Sequence, residues 1–164
     1  MEVNVFNIGD KVVYPLHGAG TIEAIEEKEI LGEVKKYFIL RMPIGNIKIS
    51  IPIDKIAEIG VREVFSEEEI EPVIRVLEGK GTQMPDNWSQ RYRENLDKIK
   101  TGDIFEIARV VRNLSIRDSK KGLSAGEKKM LNSARKMLVS EFVIVNNQSA
   151  EEVEKLIDDA IYNF

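Results

Sequence analysis

The sequence predicts an α+β protein in two parts. A small, strongly bent antiparallel β barrel of the SH3 or Tudor kind is expected over residues 1–64, and an all-α domain of about five helices over residues 65–164. Two observations lead there. Up to about residue 60, apolar residues come in short β-branched runs closed by Gly, Pro and Asn, several alternating apolar with polar. From Phe65 onward the apolar spacing becomes three and four, and Ser or Asp followed by Glu marks segment starts.

In the first part the candidate strands are Lys11 to Tyr14, Gly20 to Glu26, Lys35 to Met42 and Ile47 to Ile51. Pro15, Gly18 and Gly20 punctuate the first connection, Leu31-Gly32-Glu33 the second and Pro43-Ile44-Gly45-Asn46 the third. Only strand signals are read before residue 60. A barrel of this size holds a marginal core and serves as a binding module.

In the second part, Ser66 with Glu67, Glu68 and Glu69 reads as an N-cap with acids on the positive end of the helix dipole, opening a helix to Glu78. Gly79, Gly81 and Pro85 force a loop. A second helix starts at Asp86 or Asn87 and stops by Thr101-Gly102; a third runs from the cap Asp103 to about Ser119. Ser124-Ala125-Gly126-Glu127 and Ser149-Ala150-Glu151-Glu152 are capping boxes that open the last two helices. The domain boundary is expected near Gly60 to Phe65.

Composition sets outer limits. The 164 residues are 43% apolar and 32% charged with no Cys, which excludes a disulfide miniprotein and a thiolate nucleophile. No apolar run reaches the roughly 20 residues that span a bilayer. The first ten residues lack the basic and apolar segments of a secretory signal, so a cytoplasmic protein without a membrane partner is expected. The net charge of −4 hides an asymmetry: residues 1–78 sum to −6, residues 79–140 to +7 and residues 141–164 to −5. A basic helical segment inside an acidic protein is either the footprint of a phosphate backbone partner or a solvated face.

Little supports catalysis. The only His, His17, sits in a turn without a second His or Cys and is read as a structural or surface residue. Gly18-Ala19-Gly20 and Gly79-Lys80-Gly81-Thr82 fall short of nucleotide fingerprints and read as turn glycines. Glu67, Glu68, Glu69 and Glu71 read as dipole complements rather than metal ligands. The chain is therefore expected to be non-enzymatic, with no cofactor and no metal.

The most informative stretch is Pro85-Asp86-Asn87-Trp88-Ser89-Gln90-Arg91-Tyr92-Arg93. It places the only Trp at a helix start beside two Arg. On a helix Trp88, Arg91 and Tyr92 share a face. Such a ring either packs into the helical core or stands exposed to wedge against bases, with flanking Arg side chains holding phosphates.

These residues resemble the CarD and CdnL family of bacterial transcription regulators, and the resemblance covers nearly the whole chain. It is carried by Gly9-Asp10-Lys11-Val12-Val13-Tyr14-Pro15 with His17-Gly18, by Ile51-Pro52, by Gly60-Val61-Arg62, by Asn87-Trp88 with Arg91-Tyr92-Arg93, and by Gly122-Leu123-Ser124-Ala125-Gly126-Glu127-Lys128-Lys129-Met130-Leu131. The front motif also occurs in transcription-repair coupling factors; the Trp and Gly-Leu-Ser-Ala-Gly-Glu-Lys motifs together are the specific part.

The resemblance implies a Tudor-like RNA polymerase interacting domain that docks on the β subunit. It also implies a helical domain that touches promoter DNA, largely independently of sequence, at the upstream edge of the melted bubble. Trp88 would be a minor-groove wedge stabilising the open complex, with Arg91, Arg93 and Lys128 toward DNA and Lys28, Ile39 and Pro52 at or near the polymerase contact. Two positions depart from the family pattern: Gln90 stands where relatives often carry Arg, and Ser50 stands where some carry an Arg used in the polymerase contact. A monomer is expected. The alternative is a protein interaction scaffold whose basic helices bind an acidic protein.

Overall fold

In the computed structural model, which describes residues 6–162, a five-stranded antiparallel sheet precedes a bundle of helices. Strands β1 (Lys11–Tyr14), β2 (Gly18–Ile30), β3 (Glu33–Arg41), β4 (Lys48–Pro52) and β5 (Arg62–Glu63) lie in the order β4-β3-β2-β1-β5. Val12, Ile22, Phe38, Leu40 and Ile51 bury one face with Phe6 and Ile56. A register shift between Ile22 and Ala24 bends β2 where it leaves β1 and follows β3. The β2–β3 hairpin closes on Leu31 (φ 54°) and Gly32 (φ 80°), the left-handed pair of a two-residue turn that matches strand twist.

Three features differ from expectation. β2 runs four residues past Glu26, because the arm Glu27 to Ile30 pairs with β3 while both faces meet water, which removes the alternation that marks a half-buried strand. Residues 53–59 are helical, a 3₁₀ turn (Ile53–Lys55) running into α1 (Ile56–Ile59), not strand or loop. Only one to two turns long and buried through Ile56 alone, this segment is too short to show a 3.6 period. Beyond Gly60, which caps α1 at φ 84°, β5 pairs with β1 through Val12 and Val13.

The helices follow as α2 (Ile70–Glu78), α3 (Trp88–Lys100), α4 (Ile104–Lys120), α5 (Ala125–Asn146) and α6 (Ala150–Tyr162). Asn87 accepts from the Gln90 N–H and Asp103 from the Phe105 N–H, while Ser124 and Glu127 close a complete capping box. Around α4 as axis, Ile107, Val110, Val111 and Leu114 meet Val73 and Leu77 of α2, Leu138 and Phe142 of α5, and Val153 and Ile157 of α6.

Sheet and bundle meet along α5. The Ala19 N–H donates to Ser140 Oγ at 2.9 Å. Gly18, at φ 112°, makes that approach possible, since a Cβ there would stand 2.7 Å from the same oxygen. Arg62 of β5 grips the buried Glu141 with two N–H···O bonds of 2.8 and 3.0 Å, and the Phe65 N–H donates to the same carboxylate at 2.7 Å. The Phe65 ring then packs edge-on against Phe142.

Candidate nucleic-acid and protein interfaces

Asn87 sets the geometry of the Trp segment. As N-cap it starts α3 at Trp88, so the indole occupies the first helical position, beyond the last core layer. The ring is 59% exposed. The packed-core alternative for Trp88 is thereby excluded, and the face expected to hold Trp88, Arg91 and Tyr92 together splits. Tyr92 is half-buried against Gly126 of α5, whereas Arg91 is buried outright.

Arg91 is 3% exposed and forms a bidentate pair with Glu127, Nε to Oε2 at 2.7 Å and Nη2 to Oε1 at 2.8 Å. Its remaining terminal nitrogen donates to the carbonyls of Pro85 and Asp86, both at 3.1 Å. The hydrogen bonds from Arg91 hold the Glu127 carboxyl below the usual carboxylate range against the opposing effect of burial, and the same bonds raise the Arg91 guanidinium. Each polar edge of this guanidinium is thus committed inside the protein. The expected place of Arg91 among residues facing DNA is corrected to an internal one: it fixes the backbone turn that presents Trp88.

Glu127 belongs to the Gly-Leu-Ser-Ala-Gly-Glu-Lys motif, so one ion pair joins the two sequence motifs and sets the first turns of α3 and α5 side by side. Lys128 is exposed beside this joint, as is Gln90, whose amide donates to Glu94, while Arg93 is exposed on α3 about 200° around the axis from Arg91 and so away from α5. The two helix N-termini, with Lys128 in the first turn of α5, attract an anion. Sequence reasoning missed Glu127 as a structural partner because a capping-box Glu already has a local explanation.

Lys28, Ile39 and Pro52 are gathered on one face near the edge strand β4. Ile39 stands opposite Ser50 and Tyr37 opposite Pro52. Lys28 Nζ donates to Ser50 Oγ at 2.7 Å and lies 5.6 Å from the centre of the Tyr37 ring. Ile39 is buried, Pro52 half-buried and Lys28 partly open, so this face offers a shallow hollow whose rim includes Glu23, Glu26 and Lys48. Tyr37 belongs to this face and was not singled out from sequence. Outside both surfaces, His17 sits in its turn edge-on to Tyr14.

The family model for the CarD-like/TRCF RID domain matches residues 6–64, and that for the CarD C-terminal domain matches residues 72–158. The chain belongs to the CarD family. A relative from Bacillus subtilis (strain 168), named "Putative transcription factor YdeB", is 41% identical over 150 residues, covering 92% of this chain and 98% of its own length. In this CarD protein the front motif therefore lies in the RID-like sheet, and the Trp88 and Glu127 motifs lie in the CarD C-terminal helices. Among the described residues, no helix is long and apolar enough to cross a membrane.

Proposed function

We propose that this CarD-family protein regulates transcription without catalysis, docking through the sheet of residues 1–64 on the β subunit of RNA polymerase and stabilising the promoter open complex through the helical part, residues 65–164. Trp88 wedges into the minor groove at the upstream bubble edge, and Arg93 and Lys128 hold phosphates beside it. The observation that carries this reading is Trp88 itself: a large apolar ring held out in water by a capped helix start and an internally clamped loop. Such exposure at a rigid position suits an apolar wedge between base steps.

The arrangement of the two surfaces agrees. The edge strand β4 carries backbone groups that a partner strand can extend, flanked by Lys28 and Pro52. Docking there raises the local concentration of the helical part near DNA, so that few phosphate contacts suffice. Because the Arg62–Glu141 grip fixes one part on the other, the docked sheet also orients Trp88.

Open complexes challenged with heparin should decay more slowly with the protein present, with altered protection at the upstream bubble edge. A Lys28→Glu, Pro52→Ala variant should lose capture of the β subunit and the lifetime effect together. Retained β capture with no effect on DNA would favour the scaffold reading instead.

A further inference from the structure

A second concave surface lies beside the loop that presents Trp88, between residues 79–87, the C-terminal half of α4 and the end of α6. The groove measures about 730 Å³, within the range of small-molecule sites. Its cations are Lys80, Arg117, Lys120 and Lys121. Arg117 and Lys120 lie in the last turn of α4, where positive charge complements the helix dipole. The dipole accounts for the exposed Lys120, but not for Arg117. The Arg117 Nε–H is buried with no hydrogen-bond acceptor, and among the described residues its guanidinium has no carboxylate partner. The side chain as a whole is only half-buried, so it is its terminal nitrogens, rather than the enclosed Nε–H, that can meet an anion in the groove.

The groove is prebuilt. Asn113, 2% exposed, accepts from the Thr82 N–H at 3.1 Å and donates to Thr82 Oγ1 at 2.8 Å, pinning the loop onto α4. A Cβ on Gly81 would come within 3.2 Å of the Ile116 side chain, so the loop lies close against α4. The lining includes apolar groups, Ile116 and Met84, and Tyr162, which is 43% exposed. The lining also includes the carboxylates of Glu78 and Asp86, which repel phosphate but accept hydrogen bonds from hydroxyl groups.

We propose that this groove binds a nucleoside diphosphate or a close relative, its phosphates on Arg117, Lys120 and Lys121, its sugar hydroxyls toward Asp86, and its base against Tyr162 and Ile116. A cationic end, hydroxyl acceptors and an aromatic side chain match that class better than a bare anion, which needs no ring. Asp86 lies two residues before Trp88, so an occupant would brace the loop that presents the indole.

The test titrates the full-length protein with GDP, ADP, inorganic pyrophosphate and a short duplex DNA, following the Arg117 Nε–H and the Gly81 and Thr82 backbone N–H signals by NMR. A nucleotide should shift these signals saturably with a Kd between about 1 μM and 1 mM, and pyrophosphate should bind at least about tenfold more weakly. Arg117→Lys, which keeps the charge but lacks the paired terminal nitrogens of the guanidinium, should weaken nucleotide binding at least about tenfold without lowering the melting temperature. If that variant fails to fold, the exposed pair Lys120→Ala, Lys121→Ala must weaken nucleotide binding instead. Three results would each overturn the proposal: no saturable shift with either nucleotide, pyrophosphate binding as tightly as GDP, or duplex DNA moving the same signals without competition from nucleotide.

Discussion

Arg91 and Glu127 meet through two N–H···O bonds of 2.7 and 2.8 Å with both side chains out of water. They couple the start of α3 to the start of α5, so Trp88 and Lys128 keep a fixed relation. A buried pair of this kind contributes less to net stability than to geometry, since desolvation of two charges offsets much of their attraction.

Removing one partner should therefore be severe and removing both mild. Arg91→Ala is expected to destabilise the protein by about 3–5 kcal/mol, because Glu127 stays buried without its counter-charge. The double variant Arg91→Met, Glu127→Leu should recover most of that stability. It should not recover the open-complex effect, because the carbonyls of Pro85 and Asp86 also lose their donor. Denaturant melts paired with open-complex lifetimes separate the two quantities.

The same pair imposes a pH dependence. Glu127 titrates below its ordinary value in the folded state, so the unfolded chain takes up its proton first as pH falls. The stabilisation is complete above the unfolded carboxyl value of about 4.3 and is lost as pH drops from there through the lower folded value. The stability gap between the wild type and the Arg91→Met, Glu127→Leu variant should stay flat from neutral pH to about 5 and shift against the wild type below about 4.3. Stability measured across acid pH checks this; a gap that changed between neutral pH and 6 would contradict it.

Arg62 makes a different kind of joint. It is partly open where Glu141 is buried, and its loss leaves that carboxylate only the Phe65 N–H. Arg62→Ala should lower stability by about 1–3 kcal/mol and broaden the range of angles between sheet and bundle. Residual dipolar couplings should then fit two independent alignments rather than one, while β capture persists and the open-complex effect weakens.

Salt dependence distinguishes the cations. Arg93→Ala and Lys128→Ala should each reduce the slope of log affinity for duplex DNA against log salt by about 1. Arg91→Lys should leave the slope unchanged even where affinity falls, because its guanidinium faces Glu127 rather than solvent. A slope reduced by Arg91→Lys as much as by Arg93→Ala would place Arg91 back on the DNA side.

How much of this was legible in the sequence depended on whether the cause was local. Caps such as Asn87, Asp103 and the Ser124–Glu127 box are read within four residues, so the long helices are placed almost to the residue. The brief α1 carries too few positions to show a period, and the β2–β3 arm carries charge on both faces. The fate of Arg91 was hidden for another reason. Its partner is 36 positions away, and an Arg beside an exposed Trp looks the same in sequence whether it faces DNA or a buried Glu. Trp88 was the converse case, since spacing alone grouped it with Tyr92, and only the position of the cap puts the ring past the end of the packed layer.

Trp88 separates fold from function most sharply. With 59% of its surface in water, the side chain contributes little to the core, so Trp88→Ala should change stability by no more than about 0.5 kcal/mol. As the only Trp it also reports its own exposure, and its fluorescence should be quenched freely by acrylamide in the free protein and protected in the open complex. Filling an opened base step returns part of the few kcal/mol that unstacking costs, so loss of the ring should shorten the heparin-resistant lifetime by an amount corresponding to about 1–2 kcal/mol, roughly five- to thirtyfold. Trp88→Phe, which keeps an apolar ring, should retain part of the effect. A variant that melts like the wild type and leaves the open-complex lifetime unchanged would remove the wedge from the mechanism, leaving phosphate contacts from Arg93 and Lys128 as the sole grip on DNA.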